Sequence, residues 1–284
     1  MRVEEALKFG QRVLVGKNSA RIESEILLMY LLGFSREKLF VEHDRALSRR
    51  DEIKFKRFLS LLKRNYPIAY ITSEKEFYGE KFFVDKNVLI PRPETELLVE
   101  NAITLVKWFD KQRVRIVDIG AGSGCIGISI ARECPNVFVI GCDISARALK
   151  IARKNSKKFR LNQRVKFIRT SLLNKLIDQK FDIIVANLPY IGIEKYNFID
   201  ENVWRYEPHK ALYAGKDGLL LYRKFFKQII MMRHKPKFVI GEFGFGQGDE
   251  ICSLVNKYFV QKLGAKYEIK KDYAGIERVF IITL

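Results

Sequence analysis

The chain has 284 residues, 48% of them hydrophobic, which suffices for one large domain with a substantial core and a small appended one. A formal net charge of +19 raises the possibility of a phosphate-bearing partner. The opening "MRVEEALKFGQRVLVGKNSA" carries charges of both signs and no continuous apolar core, which argues against a signal peptide or a spanning helix and leads us to expect a cytoplasmic protein without membrane attachment.

From Met1 to about Arg64 the apolar spacing is helical: "VEEALKFGQRVL", "ARIESEILLMYLLG" and "SRRDEIKFKRFLSLLKR". Gly33 suits the close of the second run, and Ser48 or Arg49 the start of the third. Between Pro67 and Pro91, "YITSEKEFYGEKFFVDKNVLI" is aromatic and β-branched around "YGE", which predicts a β-hairpin. After "PRPETE" strands and helices alternate, from "RVRIVDIG" and "CIGISIARE" through "FDIIVAN" to "KFVIGEF" and "EICSLVNKYFV". This alternation predicts an α/β fold with a parallel sheet covered on both faces. "AKYEIKKDYAGIERVFIITL" then predicts an antiparallel hairpin turning near Ala274 and Gly275.

The densest basic run, residues 146–169, contains no acidic residue. It reads first as a solvated helix face and second as a contact for an acidic or RNA-associated partner. Cys125, Cys134, Cys142 and Cys252 form no CxxC pair and lie far in sequence from His43, His209 and His234. No metal site is expected, and the thiols read as reduced, buried hydrophobes.

"VDIGAGSGCIG" follows a strand and opens a helix, where glycines let backbone approach a ligand closely. Gly120, Gly122 and Gly124 alone fit a dinucleotide fingerprint nearly as well. Asp118, two residues before the first glycine, discriminates: a carboxylate there holds an ammonium-bearing ligand and repels pyrophosphate. Asp143, closing the next strand, is placed to accept both ribose hydroxyls or to cap the following helix. Together these acids and glycines resemble the S-adenosylmethionine site of class I methyltransferases.

"NLPY", Asn187 to Tyr190, resembles the motif of methyltransferases that alkylate planar nitrogens. Such a nitrogen is a poor nucleophile, because its lone pair is delocalised. Two acceptors aimed at its N–H bonds draw density back: Asn187 Oδ1 and the Leu188 carbonyl, with Pro189 holding the turn and Tyr190 laid over the plane. Transfer is then an in-line displacement of the sulfonium methyl, with reacting atoms about 3 to 3.5 Å apart. Positioning dominates, no strong base is needed, and no His, Asp or Glu beside the motif must be one.

Over nearly its whole length the chain resembles the family of N5-glutamine methyltransferases of class I peptide chain release factors. The resemblance rests on Pro91 to Glu96 in "PRPETE", on "EPHKALYAGKDGLLLYRKF", and on "GEFGFGQGDEI" and "KDYAGIERVF". It implies a helical substrate-recognition domain over 1–65, a hairpin linker over 66–91 and a seven-stranded, Rossmann-like methyltransferase domain over 92–284. It also implies S-adenosyl-L-methionine as cofactor, held by Asp118, Gly120, Ala121, Gly122, Ser123, Gly124, Asp143, Leu172 and Asn187. Asn187, Leu188, Pro189 and Tyr190 would bind the glutamine of a Gly-Gly-Gln loop. Direct nucleic-acid binding is not required, and a monomer is expected. Glu94 and Thr95 order the mouth of the site or cap a helix.

The chain departs from the family pattern in three places. Leu188 replaces a proline, where only the carbonyl is needed. Ser73 stands where glycine is usual. Ser171 and Leu172 occupy the positions beside adenine, leaving Leu172 packing and backbone contacts to hold it. The rival readings are an RNA adenine-N6 methyltransferase, which also carries "NLPY", a ribosomal-protein glutamine methyltransferase, and a non-enzymatic RNA-binding protein. Helices placed before the catalytic domain, intact "PRPETE" and intact site residues argue against them.

Overall fold

In the computed structural model, which describes residues 1–110 and 113–284, the chain divides into two compact units, Met1–Glu74 and Lys75–Leu284. The first contains α1 (Val3–Val13), α2 (Ala20–Leu32), α3 (Arg36–Val41), α4 (Arg49–Lys63) and α5 (Ile68–Thr72). Local chemistry sets the helix ends. Gly33 closes α2 in the left-handed conformation at φ 65°, which glycine adopts without steric cost. Ser48 opens α4 by accepting the Asp51 N–H at 3.0 Å. The apolar stripes meet in a core of Leu27, Leu28, Phe55, Leu59 and Leu62. The sequence reading misses α3 and α5 because they are too short to display a helical period.

The linker expected over 66–91 is divided between the two units. α5 gives Ile71 to the helical core, whereas β1 (Glu74–Phe77) and β2 (Glu80–Phe83) form a two-stranded sheet whose Phe77 and Phe82 belong to the core of the second unit. Tyr78 and Gly79 turn it with φ of 50° and 71°, the paired positive values of a two-residue hairpin turn.

After a 3-10 turn at Pro93–Thr95, the second unit runs through α6 (Glu96–Val106), β3 (Val114–Ile119), α7 (Cys125–Glu133), β4 (Val137–Asp143), α8 (Ala146–Lys158), β5 (Val165–Arg169) and β6 (Ile183–Asn187). It continues with α9 (Glu201–Tyr206), α10 (Leu220–Met231), β7 (Phe238–Glu242), α11 (Gly248–Val255), β8 (Lys266–Lys271) and β9 (Glu277–Thr283). The seven-stranded sheet has the order β5-β4-β3-β6-β7-β9-β8. β3 to β7 pair in parallel, and the terminal hairpin of β8 and β9 joins antiparallel to β7.

Strand alternation sorts the two layers. Val117, Ile119, Ile184 and Ala186 pack with Tyr222, Phe225, Phe226 and Phe280, while Ile116, Ile183 and Val185 pack with Val99, Ile128 and Ile130. The chain leaves β3 toward β4 and β5, then returns to the other side of β3 as β6. That reversal opens a crevice at the carboxyl ends of β3 and β6.

The first part of the basic run forms α8, which buries Ala148, Leu149, Ile151 and Ala152 and exposes Arg147, Lys150, Arg153, Lys154 and Lys157, and its end forms β5. Asn155, buried on the inner face, accepts the Phe83 N–H at 2.8 Å and donates to the Phe83 and Ser123 carbonyls at 3.0 and 2.9 Å. One side chain thus fastens both the hairpin and the glycine loop to α8. Among the described residues no helix is long and apolar enough to cross a membrane.

Ser73, where glycine is usual, ends α5 at φ 58°. An L-residue there is strained by about 1–2 kcal/mol, and glycine returns about 0.5–1 kcal/mol of this through unfolded-state entropy. Ser73→Gly is therefore expected to raise the unfolding free energy by up to about 1 kcal/mol, read by urea denaturation; a loss of stability would contradict the strain.

Candidate active site

Because β3 and β6 are neighbours, the segments leaving their carboxyl ends meet. Gly120 takes φ 77°, and a Cβ there would lie 3.1 Å from the Asn187 carbonyl oxygen, so the glycine loop and the end of β6 approach backbone to backbone. Gly120 and Gly122 line a cavity of about 820 Å³ together with Asp143, Ile144, Leu172 and Asn187. Its size suits a nucleoside-bearing ligand.

Asp143 closes β4. Its Oδ2 accepts the Gly122 N–H at 3.0 Å and its Oδ1 accepts the Ser145 N–H at 2.8 Å. Each oxygen keeps a second lone pair for a ribose hydroxyl. The helix cap considered for Asp143 falls to Ser145, whose hydroxyl accepts the Ala148 N–H. Leu172 reaches the cavity with φ 48°, an uncommon conformation for a non-glycine residue. Apolar wall, acceptor pair and open glycine backbone together fit S-adenosylmethionine.

Four residues expected to bind the cofactor, Asp118, Ala121, Ser123 and Gly124, do not line this cavity. The alternation that sends Ile119 toward it turns Asp118 to the opposite layer. There Asp118 is fully buried, with Oδ2 accepting the Gly127 N–H of α7 at 3.1 Å and Oδ1 without a partner. At Gly124 a Cβ would sit 3.1–3.2 Å from Ile128, Phe167 and Ala152. Ala121 and Ser123 are buried within the loop.

At the end of β6, Asn187 Nδ2 donates to Thr95 Oγ1 at 3.1 Å and to Glu242 Oε2 at 3.0 Å. An ionised carboxylate accepts only, so the amide nitrogen must face Glu242 and Oδ1 is left for a ligand. Tyr190 donates its hydroxyl to Glu242 Oε1 at 3.2 Å. Burial and the Glu242 charge push the Tyr190 hydroxyl far above its ordinary range, so it stays protonated. Asn187, Leu188, Pro189 and Tyr190 line a second cavity of about 180 Å³ with Leu89, Arg92 and Phe198.

Signatures far apart in sequence converge here. Thr95 of "PRPETE" makes no cap contact to α6 and reaches Asn187 instead. Arg92 pairs with Glu207, which also accepts the Ile90 N–H at 2.9 Å. Gln247 donates to the Tyr190 carbonyl at 2.8 Å and accepts the Gly244 N–H at 2.9 Å, bracing the turn after Pro189. The sequence reading assigns no role to Glu242, Glu207 or Gln247. For Glu242 a signal existed, an acid ending an otherwise apolar strand.

The four cysteines are unpaired, and burial pushes the Cys125 and Cys142 thiols up to about 12. Among the described residues no cluster of His, Cys, Asp and Glu could hold a metal ion.

Residues 5–72 match the family described as PrmC N-terminal domain and residues 95–203 the Methyltransferase small domain. The release factor glutamine methyltransferase of Bacillus subtilis is 35% identical over 96% of this chain and 95% of its own length. The bifunctional methyltransferase of Rickettsia typhi is 37% identical over 86% of this chain, which spans 50% of that protein's length. The N-terminal domain of human METTL16 in complex with SAH shares the fold, with a TM-score of 0.53 at 15% identity, covering 79% of this chain and 78% of that one.

Burial, with a smaller push from Asp143 and against the Gly127 hydrogen bond, raises the Asp118 carboxyl to about 7. The unfolded chain releases that proton near about 3.9. The folded state therefore binds the extra proton between these values, and stability falls as pH rises through the interval, by at most about 1.4 kcal/mol per pH unit. Asp118→Asn should remove this contribution, so its stability relative to wild type should climb from pH 4 to 7 in urea denaturation. A pH-independent difference would contradict the buried, proton-retaining carboxyl.

Proposed function

The chain belongs to the release factor glutamine methyltransferase family, and from this premise we propose that it methylates the side-chain amide nitrogen (N5) of the glutamine in the Gly-Gly-Gln loop of class I peptide chain release factors. One observation carries the reading to the residues: the large cavity and the small one share Asn187, Leu188 and Pro189. They share Leu89 and Ala211 as well, so a ligand in each would meet along the end of β6 and the turn after it. When bound, S-adenosylmethionine supplies an electrophilic methyl group and departs as S-adenosylhomocysteine.

The chain's own residues do the rest by positioning. Asn187 Oδ1 and the Leu188 carbonyl accept the two N–H bonds of the glutamine amide, holding its nitrogen at the junction of the cavities. Leu188 acts through its backbone, so leucine serves in place of the family's proline. Pro189 fixes the bend, and Tyr190, held protonated, walls the small cavity. The nitrogen gains the methyl group and releases one proton to solvent. Gly120 and Gly122 present backbone to the cofactor, Asp143 its acceptor pair, and Leu172 an apolar surface.

Purified protein with radiolabelled S-adenosylmethionine should label a class I release factor and leave its Gln-to-Ala loop variant and ribosomal RNA unlabelled. Label on RNA, or equal label on the Ala variant, would overturn the assignment. Asn187→Ala should lower turnover by about 10²–10³-fold, the scale of losing one aligned group at a reacting centre, while calorimetry still detects cofactor binding. Undiminished turnover would refute the two-acceptor clamp.

A further inference from the structure

Glu242 ends β7 as Asn187 ends β6, and the parallel register sets the two side by side. Its carboxylate is 2% exposed and collects three donors: Asn187 Nδ2, the Tyr190 hydroxyl and the Thr95 hydroxyl. Its backbone carbonyl accepts the Tyr222 hydroxyl, so the base of the side chain is held as well. Glu242 lines neither cavity and thus acts through Asn187.

Without an acceptor-only partner, an asparagine amide can turn over and present NH2 where the clamp needs oxygen. Resting on the methyl-transfer reading above, we propose that Glu242 is a positioning residue of the reaction, which locks Asn187 Oδ1 toward the substrate amide and electrostatically supports the nitrogen as it becomes cationic. The second part follows from where charge develops. The substrate nitrogen turns positive as the N–CH3 bond forms and stays so until its proton leaves. A carboxylate bonded to the Asn187 nitrogen polarises that amide and makes Oδ1 a stronger acceptor, and the buried setting amplifies the effect.

The groups facing Glu242 are Glu94 and Thr95 from the 3-10 turn, Tyr190 after β6, Tyr222 from α10 and Arg278 from β9. Burial, with a contribution from Glu94, raises the Glu242 carboxyl above its ordinary range, while Thr95, Tyr190 and Arg278 oppose the rise. Protonation would cancel the charge and add a donor against Asn187, so activity should fall as pH drops through that transition.

The test compares wild type with Glu242→Gln, using a class I release factor as substrate. The variant should lose about 10- to 100-fold in kcat, the scale of removing a partner that orients a ligand-binding group. Its cofactor affinity by calorimetry should be unchanged, and the acid limb of the wild-type kcat profile should disappear. In parallel, the side-chain NH2 resonances of Asn187 in 15N-asparagine-labelled wild type should titrate with pH, and those of Glu242→Gln should not. Unchanged kcat, a persisting acid limb or an Asn187 amide that does not titrate in wild type would overturn the proposal. If the variant fails to fold, the wild-type titration alone decides. A wild type that leaves the release factor unlabelled would instead defeat the methyl-transfer reading, and the titration would still report on Glu242.

Discussion

The chemistry of this chain depends on the parallel register of β3, β6 and β7, which aligns Ile119 with Ala186 and Asn187 with Glu242. A shift of one residue would reverse every side chain on a strand. Asn187 would then leave the crevice, and the Glu242 carboxylate would have no donor inside the sheet. β6 and β7 are apolar on both faces, with Ile184, Ala186 and Val239 packed in one layer and Ile183, Val185, Phe238 and Ile240 in the other, so the fit of side chains in both layers holds the register. Core packing thereby fixes the positions of polar strand ends that contribute little to the core themselves.

What was legible in the sequence follows from this division. Strand and helix periods gave the α/β sheet and its terminal hairpin, and the glycine loop and "NLPY" marked the two strand ends that meet. The short helices α3 and α5 were not legible, since one or two turns carry no period. Nor was the facing of Asp118: its place before the glycines suggested a ligand contact, but only the alternation along β3 shows that it points toward α7. For Glu242 the strand-ending acid was legible and its partner was not: it lies 55 residues from Asn187 in sequence, and only the strand order β3-β6-β7 makes them neighbours.

The "PRPETE" segment ties together three parts of the second unit. Arg92 holds Glu207, Thr95 holds Asn187, and Glu96 accepts the Tyr78 N–H of the hairpin turn at 2.9 Å. The three contacts come from the residue before the 3-10 turn, the last residue of the turn and the first residue of α6. The prolines fit such a turn, since Pro93 begins it with a preset φ and no N–H to satisfy.

The acids of the carboxyl edge differ in how they are satisfied, and the difference bears on the ligands. Glu207 is paired with a guanidinium, so its charge is neutralised and it acts as a strut. Asp118 and Asp143 are met by backbone N–H groups and Glu242 by side-chain amide and hydroxyl donors. Dipoles satisfy hydrogen bonds without cancelling charge. A protein of net charge +19 thus holds these three carboxyls with dipoles, at the edge where the proposed function puts the sulfonium and the substrate amide. Burial raises the proton affinity of all three acids, and of the three only Asp143 lines the large cavity, so it alone is placed for direct contact with a bound ligand.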